Sequence, residues 1–213
     1  MSAVNSKQAE KARQTRRKVL LAAGELFVER GYGATTLQEV ADRAGVAVQT
    51  IYFTFRNKRT LLKELVDVTV AGDDEPIPTM RRPWFTAAIA APTADAHLRA
   101  HIDGAVAVSD RTSPIFEVLR VAAALEPELD ELWREGGAQR FAVQETAAQA
   151  LLGKPGARPD VTTRDAADML YAALSPELHL LFVRDRGWSA GRFAAWAYTS
   201  LHAHLIESAA PAT

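Results

Sequence analysis

A glycine between two short helical patterns constrains this chain more than any other feature. Residues 35–62 read TTLQEVADRAGVAVQTIYFTFRNKRTLL, with the turn at Gly45. Glycine suits the left-handed conformation that follows a helix C-terminus, because a Cβ atom disfavours it. Apolar residues recur at helical spacing on both sides of this turn, and another helix start follows at once. The layout is typical of a helix-turn-helix, whose second helix enters the DNA major groove.

Local signals define both helices of this motif. Thr36 and Glu39 have the spacing of a capping box at the start of the first helix. In the second helix, Ile51 and Phe55 lie four residues apart, so we predict that they face the core. The outward face of the second helix then carries Val48, Gln49 and Phe53. Two exposed apolar residues on so short a helix indicate a binding partner.

Composition excludes several classes of protein. The chain has 213 residues, which is long enough to bury a core, and 48% of them are hydrophobic. It has no cysteine, which excludes disulfides, thiol catalysis and cysteine-ligated metal sites. Its first residues are polar and basic, unlike a secretory signal, and its apolar stretches are too short for a membrane span. We therefore expect a cytoplasmic protein without a membrane partner.

Charge is distributed unevenly along the chain. Residues 1–65 carry 12 Lys and Arg against 6 Asp and Glu, whereas residues 66–213 carry 13 against 20. The net charge of the whole chain is −1. A basic segment that coincides with a helix-turn-helix favours contact between this part of the chain and a polyanion.

Helical periodicity continues to the end of the chain, without an alternating strand pattern, and predicts an all-α fold. Closely spaced prolines in GDDEPIPTMRRP, residues 72–83, predict a linker. We predict a flexible basic tail at 1–14, a helix-turn-helix domain at 15–71 and a larger helical domain at 84–213. A helix from Thr15 to Arg30 opens the first domain. In the second domain, Ser113 and Pro114 predict the start of a new helix.

A set of positions agrees in residue type and spacing with a known family. They are Phe27-Val28-Glu29-Arg30-Gly31-Tyr32, Thr35-Thr36, Ala41, Ala44-Gly45-Val46, Thr50, Tyr52, Phe55, Asn57-Lys58 and Leu61-Leu62. Through them, residues 15–66 resemble the DNA-binding domain of the tetracycline-repressor (TetR) family of bacterial regulators. The resemblance implies a three-helix DNA-binding domain followed by a larger helical domain for ligand binding and dimerisation. The chain departs from the family pattern at Ala47, where serine is frequent, and at Thr54, where histidine is frequent.

The resemblance and the motif together predict the DNA contacts. In the family, the positions of Tyr52 and Lys58 contact phosphates. A phosphate at the helix N-terminus would offset the unfavourable position of Lys58 at the positive end of the helix dipole. Glutamine can pair with adenine, and valine or phenylalanine can pack on a thymine methyl group. The predicted DNA-binding residues are Thr36, Gln38, Val48, Gln49, Thr50, Tyr52, Phe53, Thr54 and Lys58.

The resemblance implies two further partners for the second domain. One is a second copy of the chain, because a palindromic operator is read by a two-fold dimer. The predicted dimer interface consists of Leu170, Leu174, Leu178, Leu181, Phe193, Trp196 and Leu201. The other is a small-molecule effector bound between helices. The predicted pocket consists of His97, His101, Phe116, Leu119, Trp133 and Phe141.

These expectations combine into one function, with alternatives. We predict a homodimeric repressor that a small-molecule effector releases from its operator. A DNA-binding activator and an architectural factor remain alternatives. An all-α enzyme is disfavoured because the sequence has no phosphate loop, dinucleotide fingerprint or nucleophile elbow. We expect no metal or cofactor, since the histidines at positions 97 and 101 have no obvious third ligand.

Overall fold

The computed structural model describes residues 2–72 and 77–207, with side chains from residue 7 onward. It confirms the all-α prediction, since these residues form no strand beyond a single isolated bridge between Ala157 and Ile206. The α-helices are α1 Ser2–Arg30, α2 Leu37–Ala44, α3 Val48–Phe55, α4 Lys58–Ala71, α5 Pro83–Ala90, α6 Ala94–Ala123, α7 Pro127–Leu152, α8 Thr163–Ala173, α9 Pro176–His179 and α10 Ala190–Leu205. A short 3-10 helix, Thr79–Arg81, precedes α5, and a π-helix, Leu180–Asp185, follows α9.

Helix α1 is longer than predicted, because residues 2–14 are helical where we expected a flexible tail. No glycine or proline stands before Gly24 to end the helix. Side chains one turn apart also support it, since Glu10 accepts hydrogen bonds from Arg13 at 2.8 Å and from Gln14 at 3.2 Å. The basic side chains described in this segment therefore project from a helix.

The predicted helix ends around the turn are confirmed. Thr36 caps α2, with its hydroxyl accepting from the Glu39 backbone N–H and the Glu39 carboxylate accepting from the Thr36 backbone N–H. Gly45 ends α2 in the left-handed conformation, with φ of 66°. Asn57 caps α4 by accepting from the Thr60 N–H at 2.9 Å. These contacts define both ends of α2 and the start of α4.

Helix α6 runs through Pro114, so the prediction of a new helix start there is wrong. Proline inside a helix removes one backbone hydrogen bond and crowds the preceding turn, at a cost of about 3 kcal/mol. Apolar burial on the following turns offsets this cost, because Ile115, Phe116 and Leu119 are all buried.

The chain divides into two compact units. The first contains Met1–Thr69 and Pro114–Trp133, and the second contains Val70–Ser113 and Arg134–Thr213. These limits differ from the predicted domains, because segment 114–133 groups with the helix-turn-helix. Residues 73–76 of the predicted linker lie outside the described part of the chain.

Each unit has its own apolar core. In the first unit, Ile51 and Phe55 are buried as predicted, and Val19, Leu26, Phe27, Val40 and Leu62 are buried with them. The core of the second unit draws on α5 to α8 and α10, including Phe85, Leu98, Leu151, Leu170, Phe193 and Leu201. Among the described residues, no helix is both long enough and apolar enough to cross a bilayer.

The structure contradicts part of the predicted dimer interface. Four of its seven residues lie in the core of the second unit and have no area left for a partner: Leu170, Leu174, Phe193 and Leu201. The apolar stripes of α8 and α10 are satisfied within the chain, and a helical pattern alone does not distinguish this from burial between chains. Leu178 and Trp196 are half-buried against the same core, and Leu181 is 45% exposed.

Candidate nucleic-acid interface

Helix α3 has one anchored face and one free face. Ile51 and Phe55 are completely buried, which fixes the rotation of the helix about its axis. On the other side, Phe53 is 92% exposed and Tyr52 is 54% exposed. Gln49 is also exposed. The helix therefore exposes aromatic and amide side chains to solvent. Exposure of the aromatic side chains to water is unfavourable, and a binding partner that covered them would remove this free-energy cost.

The other predicted DNA-contacting side chains differ in their exposure and in the hydrogen bonds that they make within the fold. The Gln38 amide donates to Asp42 at 2.8 Å, and the Thr54 hydroxyl donates to the Thr50 carbonyl at 2.8 Å. Thr36 is engaged in its capping box. Val48 and Thr50 are half-buried. Gln49, Tyr52 and Phe53 are the predicted residues whose side chains extend furthest from the fold.

Lys58 occupies a position that the sequence did not predict. Its ammonium donates to the backbone carbonyls of Tyr32 at 2.8 Å and Thr35 at 3.0 Å. It also lies 4.3 Å from the centroid of the Tyr32 ring. Lys58 thus joins the start of α4 to the loop between α1 and α2. Since an ammonium has three donors, one remains for a phosphate.

We expect Lys58→Met to lower the free energy of unfolding by about 2 kcal/mol, because it removes two charge-assisted hydrogen bonds and leaves two carbonyls unpaired. Lys63→Met is the matched control on the same helix, since Lys63 is exposed and should change stability by less than about 0.5 kcal/mol. Urea unfolding of both variants measures the difference. Equal midpoints would show that the Lys58 hydrogen bonds do not stabilise the fold.

A polar cluster behind this loop lies within the first unit. Burial, together with the charge of Glu126 and a hydrogen bond with it, raises the pKa of Tyr32 to about 12, against an opposing effect of Arg59. Arg59 pairs with Glu128, which holds the pKa of that carboxyl below its usual range. Glu126, just before α7, therefore contacts the loop, and Glu128, in the first turn of α7, contacts α4.

Arg56 follows α3 with φ of 65°, a conformation that L-residues rarely adopt. Its backbone N–H still bonds to the Tyr52 carbonyl at 3.0 Å, so the turn closes α3 and places an exposed cation at its C-terminal end. Sequence patterns gave no sign of this conformation, because glycine or asparagine is the usual residue for it.

Residues 19–65 match the family model described as bacterial regulatory proteins, tetR family. This segment of the chain is a tetR-family domain. The match covers α2, α3 and the segments of α1 and α4 that pack against them. The tetR-family domain thus coincides with the anchored helix and its exposed aromatic face.

Two curated relatives agree over the same region. The transcriptional activator FasR of Mycolicibacterium smegmatis is 43% identical over 63 residues, covering 28% of this chain and 29% of FasR. The transcriptional repressor BepR of Brucella suis is 42% identical over 55 residues, covering 26% of each protein. The similarity spans less than a third of either relative, so it concerns the tetR-family domain alone.

A solved structure extends the comparison to the whole fold. The complex of SmeT with triclosan superposes with a TM-score of 0.71, covering 93% of this chain and 96% of that one. The two sequences are 22% identical. The second unit therefore has the fold of this solved structure.

Helix α3 of the tetR-family domain lacks one stabilising group. Its N-cap is Ala47, which has suitable extended dihedral angles but makes no side-chain cap. We expect Ala47→Ser to raise the free energy of unfolding by about 1 kcal/mol, because a serine hydroxyl could accept from the first turn. Thermal unfolding measures this gain. An unchanged melting temperature would mean that the exposed N–H groups are already satisfied by water.

The predicted pocket residues fall in both units. Phe116, Leu119 and Trp133 belong to the first, where the Phe116 and Trp133 rings pack edge to face at 6.4 Å. His97, His101 and Phe141 belong to the second. His97 and His101 stack at 6.1 Å and are buried, and Phe141 packs on Tyr171 at 5.6 Å. The six-residue pocket stays a prediction.

Proposed function

We propose that this chain is a transcriptional regulator that binds a palindromic operator as a homodimer and represses transcription until a small-molecule effector releases it. The observation that carries the proposal is the free face of α3. Phe53 is 92% exposed on a helix whose opposite face is fully buried within a tetR-family domain. A fold of this kind has no intramolecular use for that side chain.

The proposed contacts follow from the geometry of the motif. Gln49 and Phe53 lie on the free face of α3 and read base edges, with Val48 and Gln38 beside them. Phosphates are bound by the hydroxyls of Tyr52, Thr36 and Thr50 and by the third donor of Lys58. These contacts set the register of the helix on the duplex. Thr54 donates to its own helix and contributes little.

Selection from a random double-stranded DNA library tests the function. We expect the full chain to enrich a palindrome whose half-sites lie about one helical turn, or a multiple of it, apart. Binding to the enriched sequence should weaken steeply as salt rises, because each phosphate contact releases counterions. Failure to enrich any sequence at low salt would overturn the proposal.

The proposed dimer uses the outer faces of α9, the π-helix and α10. Leu181 is 45% exposed, and Leu178 and Trp196 are half-buried beside the core of the second unit. We expect Leu181→Asp to yield monomers in sedimentation, because a charge at the centre of an apolar interface is left desolvated and unpaired. The exposed apolar residue Leu21 is the control, and Leu21→Asp should remain dimeric. A dimeric Leu181→Asp protein would place the interface elsewhere.

The relatives include an activator as well as a repressor, so activation is the second candidate function. FasR is named an activator, and BepR is named a repressor. In-vitro transcription from a promoter that carries the selected site separates the two. We expect the full chain to lower transcript yield, and a rise would favour activation.

A further inference from the structure

Two buried histidines in the second unit lack the hydrogen bonds that buried polar groups normally make. His97 is 0% exposed and His101 is 1% exposed. Both ring nitrogens of His97, and Nδ1 of His101, lie in no hydrogen bond of normal geometry, and the backbone of Ala88 makes only a weaker contact with His97. A buried polar group without a partner costs about 1–3 kcal/mol. A phenylalanine at either position would avoid this cost, so the histidines point to a use other than packing.

The tautomer of His101 follows from its one partner. Its Nε2 lies 2.7 Å from the Oε1 atom of Gln144 on α7. A carbonyl oxygen can only accept, so Nε2 carries the hydrogen and donates. Nδ1 of the neutral ring is then a lone-pair acceptor. The unmet requirement at His101 is therefore for a hydrogen-bond donor.

Aromatic rings surround that acceptor. The His101 ring lies 5.9 Å from Trp84, 6.0 Å from Phe85 and 6.1 Å from His97, measured between centroids. The Trp84 indole rests on Gly104, where a Cβ atom would lie 2.1 Å from it. Trp84 is only half-buried and so connects this group to solvent. We call Trp84, Phe85, His97, His101 and Gln144 the histidine site.

The histidine site is electrically neutral. Burial lowers the pKa of both histidines, so neither carries a charge at pH 7. The nearby Lys154 ammonium already donates to the carbonyls of Ile89 at 2.9 Å and Ala91 at 2.8 Å. Among the described side chains, no cluster of three or more potential ligands could hold a metal ion. An anion or a metal would therefore be poorly compensated here.

We propose that the histidine site binds a small, neutral aromatic molecule whose hydroxyl group donates a hydrogen bond to Nδ1 of His101. The aromatic rings of the site provide stacking and edge contacts for the ligand ring. The His97 ring, with one donor and one acceptor, can bond to a second polar group. Only the role of this ligand as the effector rests on the proposed function, and the binding itself does not.

Three matched probes test the chemistry of binding. Calorimetric titration of the full chain with 2-naphthol, 2-methoxynaphthalene and 2-naphthoate compares a neutral donor, a neutral acceptor and an anion on one ring system. We expect 2-naphthol to bind at least about tenfold more tightly than 2-methoxynaphthalene, because only the hydroxyl satisfies the buried acceptor. The anion should bind most weakly. Equal affinity for the two neutral probes, tightest binding of the anion, or no binding of any probe would overturn the proposal.

Substitutions locate the binding. His101→Phe should abolish the preference for 2-naphthol and leave the affinity for 2-methoxynaphthalene unchanged. His202→Phe is the control, since His202 lies on α10 outside the site, and it should bind all three probes as the unaltered chain does. A preference for 2-naphthol that survives in folded His101→Phe would overturn the assignment.

Gln144→Leu is a second variant that tests the same hydrogen bond if His101→Phe does not fold. Gln144→Leu frees the His101 ring to carry its hydrogen on either nitrogen, so Nδ1 can donate to the ether oxygen of 2-methoxynaphthalene. The hydroxyl preference should then shrink severalfold. An unchanged preference in this variant would overturn the assigned tautomer.

Gel shifts with the selected operator separate this inference from the proposed function. If the chain binds operator DNA but none of the probes, the proposed regulator function stands and the proposed ligand site is wrong. If the chain binds 2-naphthol but no DNA, the proposed ligand site stands and the proposed regulator function is wrong. If both hold, 2-naphthol should raise the protein concentration needed to shift the operator.

Discussion

Phe53→Glu should lower the affinity of the full chain for its operator by about two orders of magnitude. The substitution removes an apolar contact with base edges, and the loss of recognition at one base pair typically costs about 1–3 kcal/mol. It also places a negative charge against the phosphates. Because Phe53 is 92% exposed, the free energy of unfolding should change by less than about 0.5 kcal/mol. Fluorescence anisotropy with labelled operator, together with thermal unfolding, measures both quantities.

Leu125→Glu is the matched control for Phe53→Glu. Leu125 is 74% exposed in the same unit, between α6 and α7, and its substitution changes the net charge by the same amount. We expect operator binding within about twofold of the unaltered chain, since distant charges are screened beyond about 10 Å. Operator binding by Phe53→Glu that matched the control would show that the free face of α3 does not read DNA.

The local features of the DNA-binding unit could be predicted because each depends on neighbours in sequence. The capping box at Thr36 and the left-handed Gly45 follow from residue types a few positions apart. The division of α3 into a buried face with Ile51 and an exposed face with Phe53 follows from helical periodicity. Short-range rules are sufficient where the controlling contacts are themselves short-range.

Features that depend on distant parts of the chain could not be predicted. The carbonyls that bind Lys58 belong to residues more than twenty positions earlier, and nothing in the local pattern indicates that they are unpaired. Helix α6 continues through Pro114 because of apolar burial on the following turns. Leu170 and Phe193 have the pattern of an interface, but their own chain buries them.

The histidine site also depends on contacts between residues that are distant in sequence. From the sequence, His97 and His101 are assigned to the predicted pocket, and no metal is expected there. Their spacing could not indicate that Gln144 would fix the tautomer of His101, since α7 supplies it. Burial, which decides the charge of these rings, also depends on the tertiary fold.

Acid should destabilise the fold through these same histidines. Burial, together with the nearby charges of His101 and Lys154, lowers the pKa of His97 to about 4, against an opposing effect of the Ala88 backbone. In the unfolded chain the pKa returns to its ordinary value of 6.5. The unfolded chain therefore binds more protons between these values. The contribution of His97 is fully present above pH 6.5 and is lost as the pH falls toward 4.

Between pH 7.5 and pH 5, we expect His97 to reduce the free energy of unfolding by about 2 kcal/mol. His97→Phe should lack this part of the loss, and its stability at pH 7.5 should equal or exceed that of the unaltered chain, because an apolar ring replaces one with unpaired nitrogens. Urea unfolding of both proteins at the two pH values measures the difference. His179, whose pKa burial also lowers, remains in both proteins and cancels in the comparison. Equal losses in the two proteins would mean that His97 is protonated as readily in the folded chain as in the unfolded one.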